Sequence, residues 1–134
     1  MRTAWPVNVL PVALVFCLLG LYDGLGYLLG PEEWSSAPSL AAFMEWPGGA
    51  RGYGALHVLT GAVLAVGLVG RSLPVVRVGL ALAVGVWLAN AGSVAYSYEL
   101  AGVRAWGGLS KGIALAALAA LILRRTPERG GERG

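Results

Sequence analysis

The sequence predicts an all-α membrane protein: a four-transmembrane-helix bundle with N-in/C-in orientation and a short interfacial helix in its first outer loop. Three observations lead there. Of 134 residues, 57% are hydrophobic and only 13% are charged, about half the charged share of a soluble domain. The apolar residues fall into four runs of about 20, the length a helix needs to cross hydrocarbon. The arginines gather at alternate ends of those runs, as they do in inner-membrane proteins. Residues 1–125 therefore read as one transmembrane domain, with no room for a separate soluble one.

Span 1 is expected over about 7–29, after a short lead carrying Arg2. A basic residue before an apolar run resembles a signal peptide, but this run is too long. The nearest small-residue exit, Ser35-Ser36-Ala37, is followed by Pro38, which blocks cleavage. The run is read as an anchor. Its lone cysteine, Cys17, excludes an intrachain disulfide and reads as a small buried hydrophobe.

Residues 30–51 form the longest loop, made acidic by Glu32, Glu33 and Glu45. Ser36 is a good N-cap and Pro38 is tolerated in a first helical turn, so Ser39–Trp46 is expected to be helical. Leu40, Phe43 and Met44 give that helix one apolar side, with Trp34 and Trp46 flanking it. The composition suits the membrane surface. Pro47-Gly48-Gly49 is expected to end the helix.

Spans 2 and 3 are expected over about 52–69 and 73–96, joined by a turn so short that they must be antiparallel neighbours. A second outer loop is expected over Tyr98–Arg104, then span 4 over about 105–123, and a polar, disordered cytoplasmic tail over 126–134. With both termini inside, Arg2, Arg71, Arg77, Arg124, Arg125, Arg129 and Arg133 are cytoplasmic, seven cations against three outside (Arg51, Arg104 and Lys111). That excess fixes the expected orientation in the cytoplasmic membrane.

Each span carries one strongly polar residue, and all four lie towards the outer side. At 1.5 Å per residue, Asp23 sits about 10 Å below the outer boundary, His57 and Lys111 about 7–8 Å, and Asn90 about 12 Å. Helical spacing groups each with small residues: Gly20, Asp23, Gly24 and Tyr27; Gly54, His57 and Gly61; Ala83, Asn90 and Ser93; Lys111 and Gly112. Asp23 is expected to pair with Lys111 or His57, and Asn90 to hydrogen-bond across the bundle. An ionisable group at that depth is costly and is by default a functional candidate. Three readings stand: polar glue that fixes helix register, a proton- or ion-handling site, or unrelated interfacial residues. The tyrosines Tyr22, Tyr27, Tyr53, Tyr96 and Tyr98 are expected, with Trp106, in an aromatic belt.

Several classes are excluded. The single histidine cannot supply two-histidine haem ligation, and a zinc site lacks ligands. No nucleophile–base pair, phosphate loop or basic-aromatic array is present, so no enzyme, cofactor or nucleic-acid partner is expected. The expected partners are the lipid bilayer and either a second copy of the chain or another membrane protein.

The stretch Trp34-Ser35-Ser36-Ala37-Pro38-Ser39, then Pro47-Gly48-Gly49 leading into Arg51-Gly52-Tyr53-Gly54, resembles the first loop of small four-span membrane proteins of actinobacterial phages. The arginine-rich, glutamine-free composition is in keeping with such a GC-rich source. Some of those proteins are similar to holins, so the resemblance implies an oligomer that opens the host membrane for lysis. Four short spans are also found in the small multidrug-resistance and fluoride-channel families, and Asp23 in span 1 is reminiscent of the former. A small dimeric transporter or channel using Asp23 is thus the alternative. A third is an accessory or immunity subunit that binds another membrane protein through the outer loop.

Overall fold

The structure is a computed structural model that describes residues 9–30, 45, 47–101 and 106–125, without the side chains of 97–101 and 106–109. Four helices follow one another: α1 (Val9–Leu29), α2 (Gly49–Val69), α3 (Leu73–Ala101) and α4 (Trp106–Arg125). Val9–Leu29, Gly49–Val69 and Leu73–Tyr96 have the length and apolarity to cross a membrane. The outward surface of these helices is correspondingly apolar, with Leu10, Leu14, Leu18, Leu25, Leu59 and Val66 all exposed. The expected interfacial helix, with Trp34, Phe43 and Trp46, lies outside the described residues.

Two helix ends depart from the sequence reading. α3 runs on to Ala101 instead of stopping at 96, because Tyr98-Glu99-Leu100-Ala101 contains no breaker. Loss of hydropathy ends a membrane span, whereas a helix ends only where its backbone is broken or capped. α2 begins at Gly49, inside the stretch expected to end the preceding helix. Gly48 and Gly49 both hold positive φ, 80° and 62°, a pairing that side chains with a Cβ resist. The Gly52 N–H then reaches back to the Gly48 carbonyl at 3.2 Å, which closes the first turn.

The link between α2 and α3 is a tight C-terminal cap. Ser72 N–H donates to Gly67 O at 2.9 Å and Arg71 N–H to Leu68 O at 3.2 Å, the paired bonds of a Schellman motif. That motif needs a left-handed residue after the cap, and here it is Arg71 at φ 49° rather than a glycine. Arg71→Gly is expected to raise thermal stability in detergent by up to about 1 kcal/mol through relief of that backbone strain. A loss of stability would mean that the arginine side chain holds the turn.

The helices lie in chain order: α1 packs on α2, α2 on α3 and α3 on α4, while α1 and α4 meet at few positions. Glycines set each seam. Gly20 and Gly24 of α1 lie against the backbone of α2 at His57, Gly54 and Gly61, so close that a Cβ on Gly24 would stand 2.7 Å from the Val58 nitrogen. Gly67 meets Val76 in the second seam and Gly112 meets Ala91 in the third. Lipid is as apolar as leucine, so packing and not water exclusion holds such helices together, and close backbone approach is how it is achieved.

The core is divided along the bundle axis. Towards the α2–α3 turn it is wholly apolar, built from Val9, Ala13, Phe16, Leu64, Leu80 and Ala119 among others. Cys17 belongs to this layer, and its thiol points to the Gly61 carbonyl at 3.4 Å. Towards the opposite end, where α1 finishes and α2 begins, the interior becomes aromatic and polar.

Candidate functional site

The aromatic–polar end is assembled from all four helices. On α1, Asp23 and Tyr27 share a face one turn apart. Gly24, between them, brings that face against α2. On α2, Tyr53 and His57 are spaced i, i+4 and both point inward, at 0% and 1% exposure. On α3, Trp87 is buried and Asn90 lies one turn on. α4 contributes Lys111.

The ion pair bridges the one seam that helix packing leaves nearly open. Lys111 Nζ stands 3.8 Å from Asp23 Oδ2, linking α4 to α1. Of the two partners expected for Asp23, the near one is Lys111. The pair is lopsided: the Asp23 side chain is 17% exposed and the Lys111 side chain 53%. The same ammonium lies 5.3 Å from the centre of the Trp87 ring, within cation–π range.

His57 occupies a different setting from the one expected. It does not meet the carboxylate. Its ring is enclosed by Tyr53 at 4.6 Å and Trp87 at 5.3 Å, both near edge-to-face, and by Tyr27 at 6.1 Å. Neither ring nitrogen has a hydrogen-bond partner. Imidazole carries one donor and one acceptor, and burying either unpaired costs about 1–3 kcal/mol. Aromatic contact offsets part of this. The remainder marks His57 as a polar group placed where packing alone prefers phenylalanine.

Asn90 crosses the bundle and donates from Nδ2 to the Tyr53 hydroxyl at 2.7 Å, tying α3 to α2. Thr60, also buried, satisfies itself within α2 by donating to the Leu56 carbonyl at 2.9 Å. Asn90→Leu is expected to lower stability by about 0.6–1 kcal/mol, the worth of one hydrogen bond between membrane helices. In a Tyr53→Phe background the same substitution should cost little further. Additive losses in thermal unfolding would show that the two groups act separately.

The tyrosines divide. Tyr22 and Tyr96 are exposed, as a belt requires, but Tyr27 and Tyr53 are buried and line the site. The belt reading is corrected for those two. Tyr98 and Trp106 have no described side chains. Sequence reading also passed over Trp87. The signal was present, since Tyr27 follows Asp23 by four, Tyr53 precedes His57 by four and Trp87 precedes Asn90 by three. Each of these aromatics shares a helix face with a polar candidate.

Chemically, the contacting cluster holds one carboxylate, one amine, one enclosed imidazole and three aromatic rings. Among the described residues, no three of His, Cys, Asp and Glu gather as metal ligands would. No family model, curated protein or solved structure matches the chain.

Proposed function

We propose that the protein is a small polytopic protein of the cytoplasmic membrane, crossing it four times with both termini inside, and that it acts as a transporter or channel for a small ion through Asp23. The fourth crossing is α4, whose stretch Gly112–Leu123 carries no charge. Reporter fusions at both termini should read cytoplasmic.

One observation carries the choice of activity: the polar groups of α1, α2 and α3 are turned into the bundle and away from its periphery, and among the described polar side chains of α4 only Ser110 and Lys111 are exposed ahead of the terminal arginines. A hole-forming lysis protein needs a polar face to line the opening it makes with its neighbours. Along α1, α2 and α3 the exposed positions between the helix ends are leucine, valine, alanine, glycine, proline and tyrosine. The charged pair instead sits at the α1–α4 seam within one chain, the arrangement of an intramembrane ion pathway. A buried carboxylate is then what the chain keeps for function at a cost in stability.

The test is flux. Purified protein in liposomes should dissipate an imposed cation or proton gradient, and Asp23→Asn should reduce the rate at least tenfold with the protein still inserted. Abrupt depolarisation of induced cells, indifferent to Asp23→Asn, would replace this reading with the holin-like one. Absence of flux, together with a co-purifying membrane protein lost on deleting 31–50, would replace it with the accessory reading.

A further inference from the structure

Lys111 differs from the other described cations. Arg51, Arg71, Arg124 and Arg125 lie exposed in the first or last turn of a helix or in the turn between helices, and Arg77 is half-buried near the start of α3, at the opposite end of the bundle. Lys111 stands in the sixth position of α4 and reaches across to α1. Its ammonium makes the two contacts by which proteins hold organic ammonium ions, a carboxylate at 3.8 Å and an aromatic ring at 5.3 Å.

The two halves of that arrangement are unequally held. Asp23 sits on a helix locked to its neighbour by glycine contacts, and Trp87 is 3% exposed, wedged against His57. Lys111 hangs on a flexible four-carbon stem and is half exposed. Its distance to the carboxylate is well beyond the 2.7–2.9 Å typical of a tight ammonium–carboxylate hydrogen bond. The carboxylate and the ring are therefore the site, and the lysine is an occupant. Behind the ring, the two unpartnered nitrogens of His57 leave hydrogen-bonding capacity unused.

We propose that the sparsely packed seam between α1 and α4, at the end holding Asp23, binds a small alkylammonium ion for which Lys111 is a tethered stand-in. The ligand takes the carboxylate of Asp23 and the face of Trp87, and Lys111 swings out to water. An inorganic cation fits less well. Calcium requires six to eight oxygen ligands and magnesium six, whereas among the described residues no three of His, Cys, Asp and Glu gather around Asp23. This inference rests on the reading of Asp23 as the ion-handling residue and names its ligand class.

The probe is n-propylammonium, the fragment that Lys111→Ala removes. Full-length protein in lipid nanodiscs is titrated with propylammonium chloride against sodium chloride of equal strength, by calorimetry and by thermal unfolding. Lys111→Ala should bind at least tenfold more tightly than the unaltered chain, because its internal competitor is gone, and should regain thermal stability on binding. Adding Asp23→Asn or Trp87→Leu should weaken that binding at least tenfold. Lys111→Gln serves the same comparison where the alanine variant does not fold. Equal affinity with and without Lys111, or affinity indifferent to Asp23→Asn, would overturn the proposal. Binding without flux would remove the transport reading and leave the site. Asp23-dependent flux without ammonium binding would do the reverse.

Discussion

Gly24→Ala is expected to be strongly damaging to the α1–α2 seam. The new Cβ would lie 2.7 Å from the Val58 nitrogen and 2.9 Å from the Gly54 carbonyl oxygen. Both are backbone atoms, so no rotamer change relieves the contact and the two helices must part. Overpacking of this kind costs about 1–3 kcal/mol, and the upper end applies because backbone cannot yield. Gly61→Ala should behave alike, with its Cβ 2.9 Å from the Leu21 nitrogen and 3.0 Å from the Cys17 carbonyl. The control lies in the same molecule: Gly85 and Gly92 have open space where a Cβ would go. Alanine there should be neutral or gain up to about 1 kcal/mol from helix propensity. Thermal unfolding in detergent separates the two classes. Equal effects at Gly24 and Gly85 would mean that the α1–α2 seam does not bear on stability.

The contrast between these glycines shows what the sequence could and could not convey. The repeat Gly20-x-x-x-Gly24 is visible in the chain, yet with 21 glycines in all spacing alone cannot separate a packed pair from a chance one. Which glycine meets a neighbour depends on helix rotation, and that is set by all the seams together. Four helices were legible, and three of them as long apolar spans, because hydropathy and length are local properties. The α3 terminus was not, because hydropathy reports where a helix leaves lipid and not where its backbone stops. That Asp23, His57, Asn90 and Lys111 lie towards one end of the bundle followed from counting residues along helices. Their partners did not, since four residues at one depth can pair in several ways. Distance resolves it: Lys111 reaches Asp23, Asn90 reaches Tyr53, and His57 is surrounded by rings. Trp87 was missed, and the two buried tyrosines were assigned to a belt, for a related reason. Aromatic residues near a membrane boundary suit a belt and a core equally, and only burial tells them apart.

The ion pair should respond asymmetrically to loss of its two members. Lys111→Met leaves a carboxylate that is 17% exposed and has lost its counter-charge. An unpaired charge within a membrane helix costs about 2.5–3.5 kcal/mol at the centre and less towards the boundary, so a loss of about 1–3 kcal/mol is expected. Asp23→Asn leaves instead an ammonium that is already half exposed. Its long stem lets it turn outward to the polar boundary, and Asn at position 23 retains hydrogen-bonding groups, so the loss should stay under about 1 kcal/mol. The double variant, Asp23→Asn with Lys111→Met, removes both charges and should recover most of what Lys111→Met lost, because the isolated carboxylate is the costly species. A double-mutant cycle on thermal unfolding in nanodiscs reads all three values. Equal costs for the two single variants would place the lysine in as buried a setting as the aspartate. Additive costs would mean that the 3.8 Å approach carries no coupling. The asymmetry has a mechanical reading as well: the carboxylate is held by the packed α1–α2 pair, so whatever cation meets it at the loose α1–α4 seam can exchange without disturbing the rest of the bundle.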